Sequence, residues 1–169
     1  MVNETLVQYV LLSPNNVELM DGMLDMFAEA FDEVETYSGA RPSTAYLQHL
    51  VKSDSFVALA PLFNGKVVGG IAAYELKKFE QERSEIYIYD LAVSESHRRK
   101  GIATKLILEL KRIAAQRGAY VIYVQADLVD EAAQHLYSRF GRREEVLHFD
   151  IDVKDTPDRE GLRELGDPV

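Results

Sequence analysis

The sequence contains no cysteine, so it has no disulfide framework, no thiol nucleophile and no thiolate metal site. It has no apolar run approaching the ~20 residues that a membrane span requires. Its first residues, MVNETLVQY, lack the basic start and apolar block of a secretory signal. With no cysteine either, a cytoplasmic protein is favoured. There is no internal repeat, low-complexity tract or collagen-like period. Basic charge is scarce: 19 Lys and Arg stand against 28 Asp and Glu, a formal net charge of −9. That balance argues against nucleic acid or an anionic membrane as a partner, because phosphate binding relies on basic surface. It suits a cationic substrate, which such a surface would concentrate and steer, and it equally serves plain solubility.

What remains is a chain of 169 residues, enough for one sizeable core and short for two. Residues 6–12 are a β-rich run. Residues 17–31 carry apolar side chains at helical spacing, and 32–42, with charges, Gly39 and Pro42, reads as a loop. A short helix is predicted over 43–51, with Ser43 as its N-cap. Two β-type runs, 55–62 and 66–76, flank Asn64-Gly65, a strong hairpin signal. Then come a strand over 85–93, an amphipathic helix over 101–117 that Gly118 closes, and a strand over 120–126. A helix over 130–140 with Asp130 as cap and a last strand over 146–152 complete the pattern. This order describes one mixed α/β domain over residues 1–153, followed by a polar tail over 154–169. The strand–helix–strand unit near the end implies a locally parallel pair with a right-handed crossover.

Residues 97–106, HRRKGIATKL, stand where the strand EIYIYDLAV gives way to the long helix. The free N–H groups of a helix's first turn bind an oxyanion well, and cations there oppose the macrodipole of an empty helix. Arg98, Arg99 and Lys100 make sense if an anion occupies the turn, and Gly101 and Ala103 let backbone approach it closely. The spacing excludes a Walker loop, and one glycine is too few for a dinucleotide fingerprint.

Arg98-x-x-Gly101-x-Ala103, placed behind that strand, resembles the pyrophosphate-binding motif of the GCN5-related N-acetyltransferases (GNAT). The element order from about residue 6 to 152 is similar to that family's as well. The resemblance implies a mixed central sheet splayed between its fourth and fifth strands and flanked by helices. It also implies acetyl-CoA as co-substrate, with the pyrophosphate held by residues 98–104 (Arg98, Arg99, Lys100, Gly101, Ile102, Ala103, Thr104). Leu91, Ala92 and Val93 would pair with the pantetheine arm, and Tyr137 would be the general acid near the thioester sulfur. Longer stretches, KFEQERSEIYIYDLAVSESHRRKGIAT, GAYVIYVQAD and REEVLHFDID, resemble the gentamicin-type aminoglycoside 3-N-acetyltransferases. That likeness implies a polycationic amino-sugar substrate and antibiotic resistance.

The chemistry fits the residues. A polycation calls for carboxylates, and Asp32, Glu33, Glu35, Glu80, Glu82, Asp150 and Asp152 fall near expected site edges. Attack requires a neutral amine, so a group must accept a proton or anchor the ammonium. Asp90, a carboxylate inside an apolar strand, is the candidate, acting directly, through water or as an anchor. The four histidines, 49, 97, 135 and 148, show no metal-ligand spacing, and no metal is assigned. Two other readings stay open: a transferase for a polyamine or protein amino group, and a CoA-binding module without turnover. A homodimer is a candidate assembly.

Overall fold

Residues 6–153 are described in this computed structural model; residues 1–5 and the expected tail over 154–169 lie outside the described residues. Six strands form one sheet: β1 Gln8–Leu11, β2 Phe56–Phe63, β3 Lys66–Val67, β4 Gly69–Lys77, β5 Ser84–Val93 and β6 Ala119–Val124. The order across the sheet is β1-β2-β4-β5-β6, with β3 beside β2. Five helices flank it: α1 Leu19–Phe31, α2 Val34–Ser38, α3 Thr44–Lys52, α4 Ile102–Arg117 and α5 Glu131–Ser138.

Local chemistry explains several boundaries. Asn64 and Gly65 both take positive φ (51° and 76°), the conformation a two-residue hairpin turn demands, so Phe63 pairs with Lys66. The run expected as one strand over 66–76 is divided at Val68. There it faces Pro61, whose carbonyl accepts from Val68 N at 2.9 Å but which has no N–H to return. Ser43 caps α3 by accepting from Tyr46 N, and Gly118 closes α4 at φ 76°.

The two faces of the sheet carry separate cores. On one, Leu106, Leu110 and Ile113 of α4 pack on Ile71, Ile86 and Ile88. On the other, Met20, Met23 and Phe27 of α1 and Leu47 of α3 cover Phe56, Ala58, Ala60 and Ala92.

Every pairing in the sheet is antiparallel except β5 with β6, which is parallel and crosses over through α4. That parallel ladder runs from Ser84–Ala119 to Ile88–Val124 and stops, so residues 89–93 have no β6 partner. Here is the splay. The strand counted fourth from the sequence is β5, because β3 and β4 came from a single expected run.

Two expectations need correction. Residues 32–42 are not simply a loop: a turn of helix, α2, forms over Val34–Ser38. Residues 146–152 do not form a strand. Among the described residues they join no ladder of the sheet, and Val146, Leu147, Phe149 and Ile151 are 71%, 83%, 76% and 88% exposed. Alternation of apolar and acidic residues satisfies the strand pattern, but a strand also needs a neighbour to take its N–H and C=O groups.

Candidate active site

The register of β5 against β4 slips by one residue at mid-strand. Ile88 lies opposite Ala73 and Asp90 opposite Ala72, so Tyr89 is an extra residue, a β-bulge. The slip reverses the facing of all that follows. Ile86 and Ile88 point into the α4 core, and strict alternation would send Asp90 in after them. After the bulge it is Leu91 and Val93 that meet the α4 side, while Ala92 joins the α1 side. Asp90 therefore leaves the α4 core and faces α1 and α2.

There it meets Tyr37, whose hydroxyl donates to Asp90 Oδ1 at 2.9 Å. Tyr37 is set by packing on Phe27 and Phe31, with ring centroids 5.7 and 5.8 Å away. Burial raises the Asp90 pKa above the ordinary aspartate value. The Tyr37 hydrogen bond opposes that rise, and the Glu33 charge adds to it. The Tyr37 hydroxyl is itself raised, first by burial and then by its bond to Asp90. A carboxylate whose proton affinity is moved toward neutrality is the kind of group that takes a proton from an ammonium.

Beyond β5 the chain makes a 3-10 turn, Glu95–His97, and enters α4 through Gly101 at φ 81°, ψ 1°. Arg99 also has positive φ, 59°. Such turn conformations aim successive N–H groups at one concavity. Among the described residues, no acceptor meets the backbone N–H groups of residues 99–104. Arg98 differs: its own N–H goes to Glu95 O (3.2 Å), and its Nε donates to Val93 O (3.1 Å). Lys100 Nζ donates to Ser96 O (2.9 Å). Two of the three cations thus brace the turn, while Arg99 makes no side-chain hydrogen bond or ion pair among the described residues. These unpaired donors at a cationic helix start fit a pyrophosphate. Leu91, Ala92 and Val93, which have no β6 partner, lead directly into this turn.

Tyr137 stands near the end of α5, which Asp130 caps by accepting from Ala133 N at 2.9 Å. This end of α5 lies against α4: Arg139 Nη1 donates to Thr104 Oγ1 (3.5 Å), and Lys111 sits over the Phe140 ring. Burial, with Asp130 second, pushes the half-buried Tyr137 hydroxyl up to about 12, so it stays protonated. It makes no hydrogen bond to any described residue.

The acidic candidates divide by place. Glu33 is close enough to act on Asp90, and Asp32 is an exposed left-handed cap ending α1 beside it. Glu80 lies at the β4–β5 hairpin tip, held by Arg83 (3.4 Å) and Lys78 (3.7 Å). The strand residues from Ser84 to Tyr89 separate that tip from Asp90, roughly 20 Å. Asp150 contacts His148 (3.2 Å) in the exposed stretch over 141–153, which also holds Asp152. Tyr37 was missed from the sequence because it fell in an expected loop. Val34 and Tyr37, apolar and aromatic at i and i+3, were the available helical signal.

A carboxylate whose pKa burial raises, a splayed strand pair and an unpaired cationic helix start together fit an acyltransferase that uses acyl-CoA. The acetyltransferase (GNAT) family pattern matches residues 20–141, and the chain belongs to that family. Among solved structures, the aminoglycoside acetyltransferase HMB0005 from an uncultured soil metagenomic sample is 61% identical, with a TM-score of 0.86. That match covers 88% of this chain and 99% of the other. Another aminoglycoside acetyltransferase, meta-AAC0020, also from an uncultured soil metagenomic sample and in complex with sisomicin, is 28% identical with a TM-score of 0.80, covering 87% and 96%. The N-terminal acetyltransferase A complex catalytic subunit NAA10 of Arabidopsis thaliana is 39% identical over 64 residues. That is 37% of this chain, and the chain spans about a third of that curated relative's length (31%).

Proposed function

We propose that this chain is an acetyl-CoA-dependent N-acetyltransferase of aminoglycosides, acting in the cytoplasm on the 3-amino group and conferring resistance to gentamicin-type drugs. The observation that carries the reading is Asp90, turned out of the α4 core by the Tyr89 bulge to lie beside the splay, hydrogen-bonded to Tyr37 and with its pKa raised by burial. Solved relatives at 61% and 28% identity that are aminoglycoside acetyltransferases support the substrate class.

Acetyl-CoA, when bound, supplies an acetyl thioester open to attack by a neutral amine. The N–H groups of residues 99–104 hold the pyrophosphate, and Arg99 adds charge. Backbone groups of Leu91, Ala92 and Val93 on the open edge of β5 orient the pantetheine arm. Asp90 accepts the proton of the substrate ammonium at a carboxylate oxygen, directly or through water, or anchors that ammonium; Tyr37 fixes its orientation. Tyr137 holds a proton on its hydroxyl for the departing sulfur. Holding both reactants in one cleft supplies much of the rate, with no covalent enzyme intermediate needed.

A protein amino group is the second reading, favoured by the 64-residue likeness to a protein N-terminal acetyltransferase subunit. Thiol release from acetyl-CoA, measured with gentamicin, spermidine and a peptide amine in parallel, separates the readings. Gentamicin should be turned over far faster than the other two. Preference for the peptide would replace the proposal with the second reading.

A further inference from the structure

Three tyrosines lie in register across one face of the sheet: Tyr74 on β4 opposite Tyr87 on β5, and Tyr87 opposite Tyr123 on β6. Tyr87 and Tyr123 stack, centroids 5.0 Å apart and 24° between planes. Tyr89, the bulge residue, stands edge-on to both Tyr74 (5.9 Å, 83°) and Tyr87 (6.0 Å, 86°). The row is on the α1 side of the sheet, the side to which the bulge turns Asp90. Where α1 and α3 leave that side uncovered, Tyr89 is 63% exposed and Tyr123 is 39% exposed.

From this arrangement we infer that the Tyr89–Tyr87–Tyr123 row is a binding face for the sugar rings that a polyamine-bearing glycoside carries beyond the amine at Asp90. The inference rests on the aminoglycoside reading and extends it. An amino sugar presents C–H bonds on one ring face, ammonium groups at its edge and hydroxyls around it. Tyrosine rings meet the first two through their faces, by apolar contact and by cation–π attraction. Their hydroxyls, and Gln125, which accepts from Tyr87 Oη at 2.9 Å, lie where sugar hydroxyls could pair. Each ring is braced by its neighbours, so little side-chain freedom is lost when a sugar binds. A linear polyamine would use the carboxylates without the ring faces. The row thus distinguishes a glycoside from an open-chain amine, which the acidic charge of the protein does not.

Calorimetric titration of gentamicin into the full-length chain saturated with CoA tests this, with Tyr89→Ala and Tyr89→Phe beside wild type. Tyr89→Ala should weaken gentamicin binding by about tenfold, the loss of one aromatic face with its cation contact. Tyr89→Phe, which keeps the face, should stay within about twofold. CoA affinity should be the same in all three, and light scattering should give the same mass. Undiminished gentamicin binding by Tyr89→Ala would overturn the inference. So would a fall in the mass of Tyr89→Ala, which would make the row an interface between copies. Wild-type protein that binds gentamicin through the row but acetylates none of its amines would refute the proposed activity and leave the row standing. Wild-type protein that does not bind gentamicin would refute both.

Discussion

Replacing Gly101 by valine separates what the turn needs in order to fold from what it needs in order to hold an anion. Gly101 has φ 81°, and a Cβ built there meets nothing within 4 Å. The folded protein therefore has room for the side chain, and the cost is conformational. A non-glycine residue in this region costs about 1–2 kcal/mol, with a β-branched one at the upper end. For a chain of this length, that lowers the melting temperature by roughly 2–8 °C. The valine methyls would fill the concavity onto which the N–H groups of residues 99–104 open. Each hydrogen bond to a charged oxygen is worth about 1.5–3 kcal/mol, so losing even one weakens CoA by ~10–100-fold. Gly101→Ala carries much of the conformational cost with less bulk, and should retain more of the CoA affinity. Calorimetric titration of CoA, with melting curves for each variant, reads both effects. A folded Gly101→Val protein that binds CoA within twofold of wild type would refute the placement of the pyrophosphate.

Three further substitutions address the chemistry. Asp90→Asn should lower turnover of gentamicin by ~10²–10⁴-fold while leaving CoA affinity intact, with partial rescue at high pH if Asp90 is the base. Burial raises the Asp90 pKa in the folded chain, so its contribution to stability is present below the unfolded pKa and lost as pH rises through the folded one. At neutral pH the ionised group is then a cost, and Asp90→Asn should melt no lower than wild type; a clear drop in melting temperature would contradict the burial argument. Tyr37→Phe removes the one bond holding the Asp90 pKa down, so the acid limb of the kcat/KM profile should move to higher pH with the alkaline plateau retained; an unmoved limb would remove Asp90 from the titration. Tyr137→Phe should reduce kcat with acetyl-CoA affinity nearly unchanged, and equal turnover would make Tyr137 a packing residue.

The elements with strong local signals were legible in the sequence. Asn64-Gly65 encodes its own turn, Ser43 and Asp130 their own caps, and the i, i+4 spacing of Leu106, Leu110 and Ala114 its own buried stripe. The turn into α4 was legible for the same reason: Gly101 and the cations before it are contiguous. What escaped depends on partners distant in sequence. Nothing in EIYIYDLAV marks Tyr89 as a bulge, since the slip exists only against Ala72 and Ala73 of β4. The bond from Tyr37 to Asp90 spans 53 residues and depends on α2 forming inside an expected loop. Residues 146–152 carry a strand's pattern, but among the described residues they join no ladder of the sheet. Charge alone also grouped Glu80 with Glu33, although the fold sets them at different ends of β5.

The most direct test is the position of the acetyl group on the product. Gentamicin and acetyl-CoA are incubated with the wild-type chain, and the acetylated drug is assigned amine by amine by NMR. The proposed specificity requires a single acetyl group on the 3-amino nitrogen, formed with one equivalent of free CoA thiol and at a rate strongly reduced with Asp90→Asn. Acetylation at the 6′-amine, or undiminished product from Asp90→Asn, would contradict it.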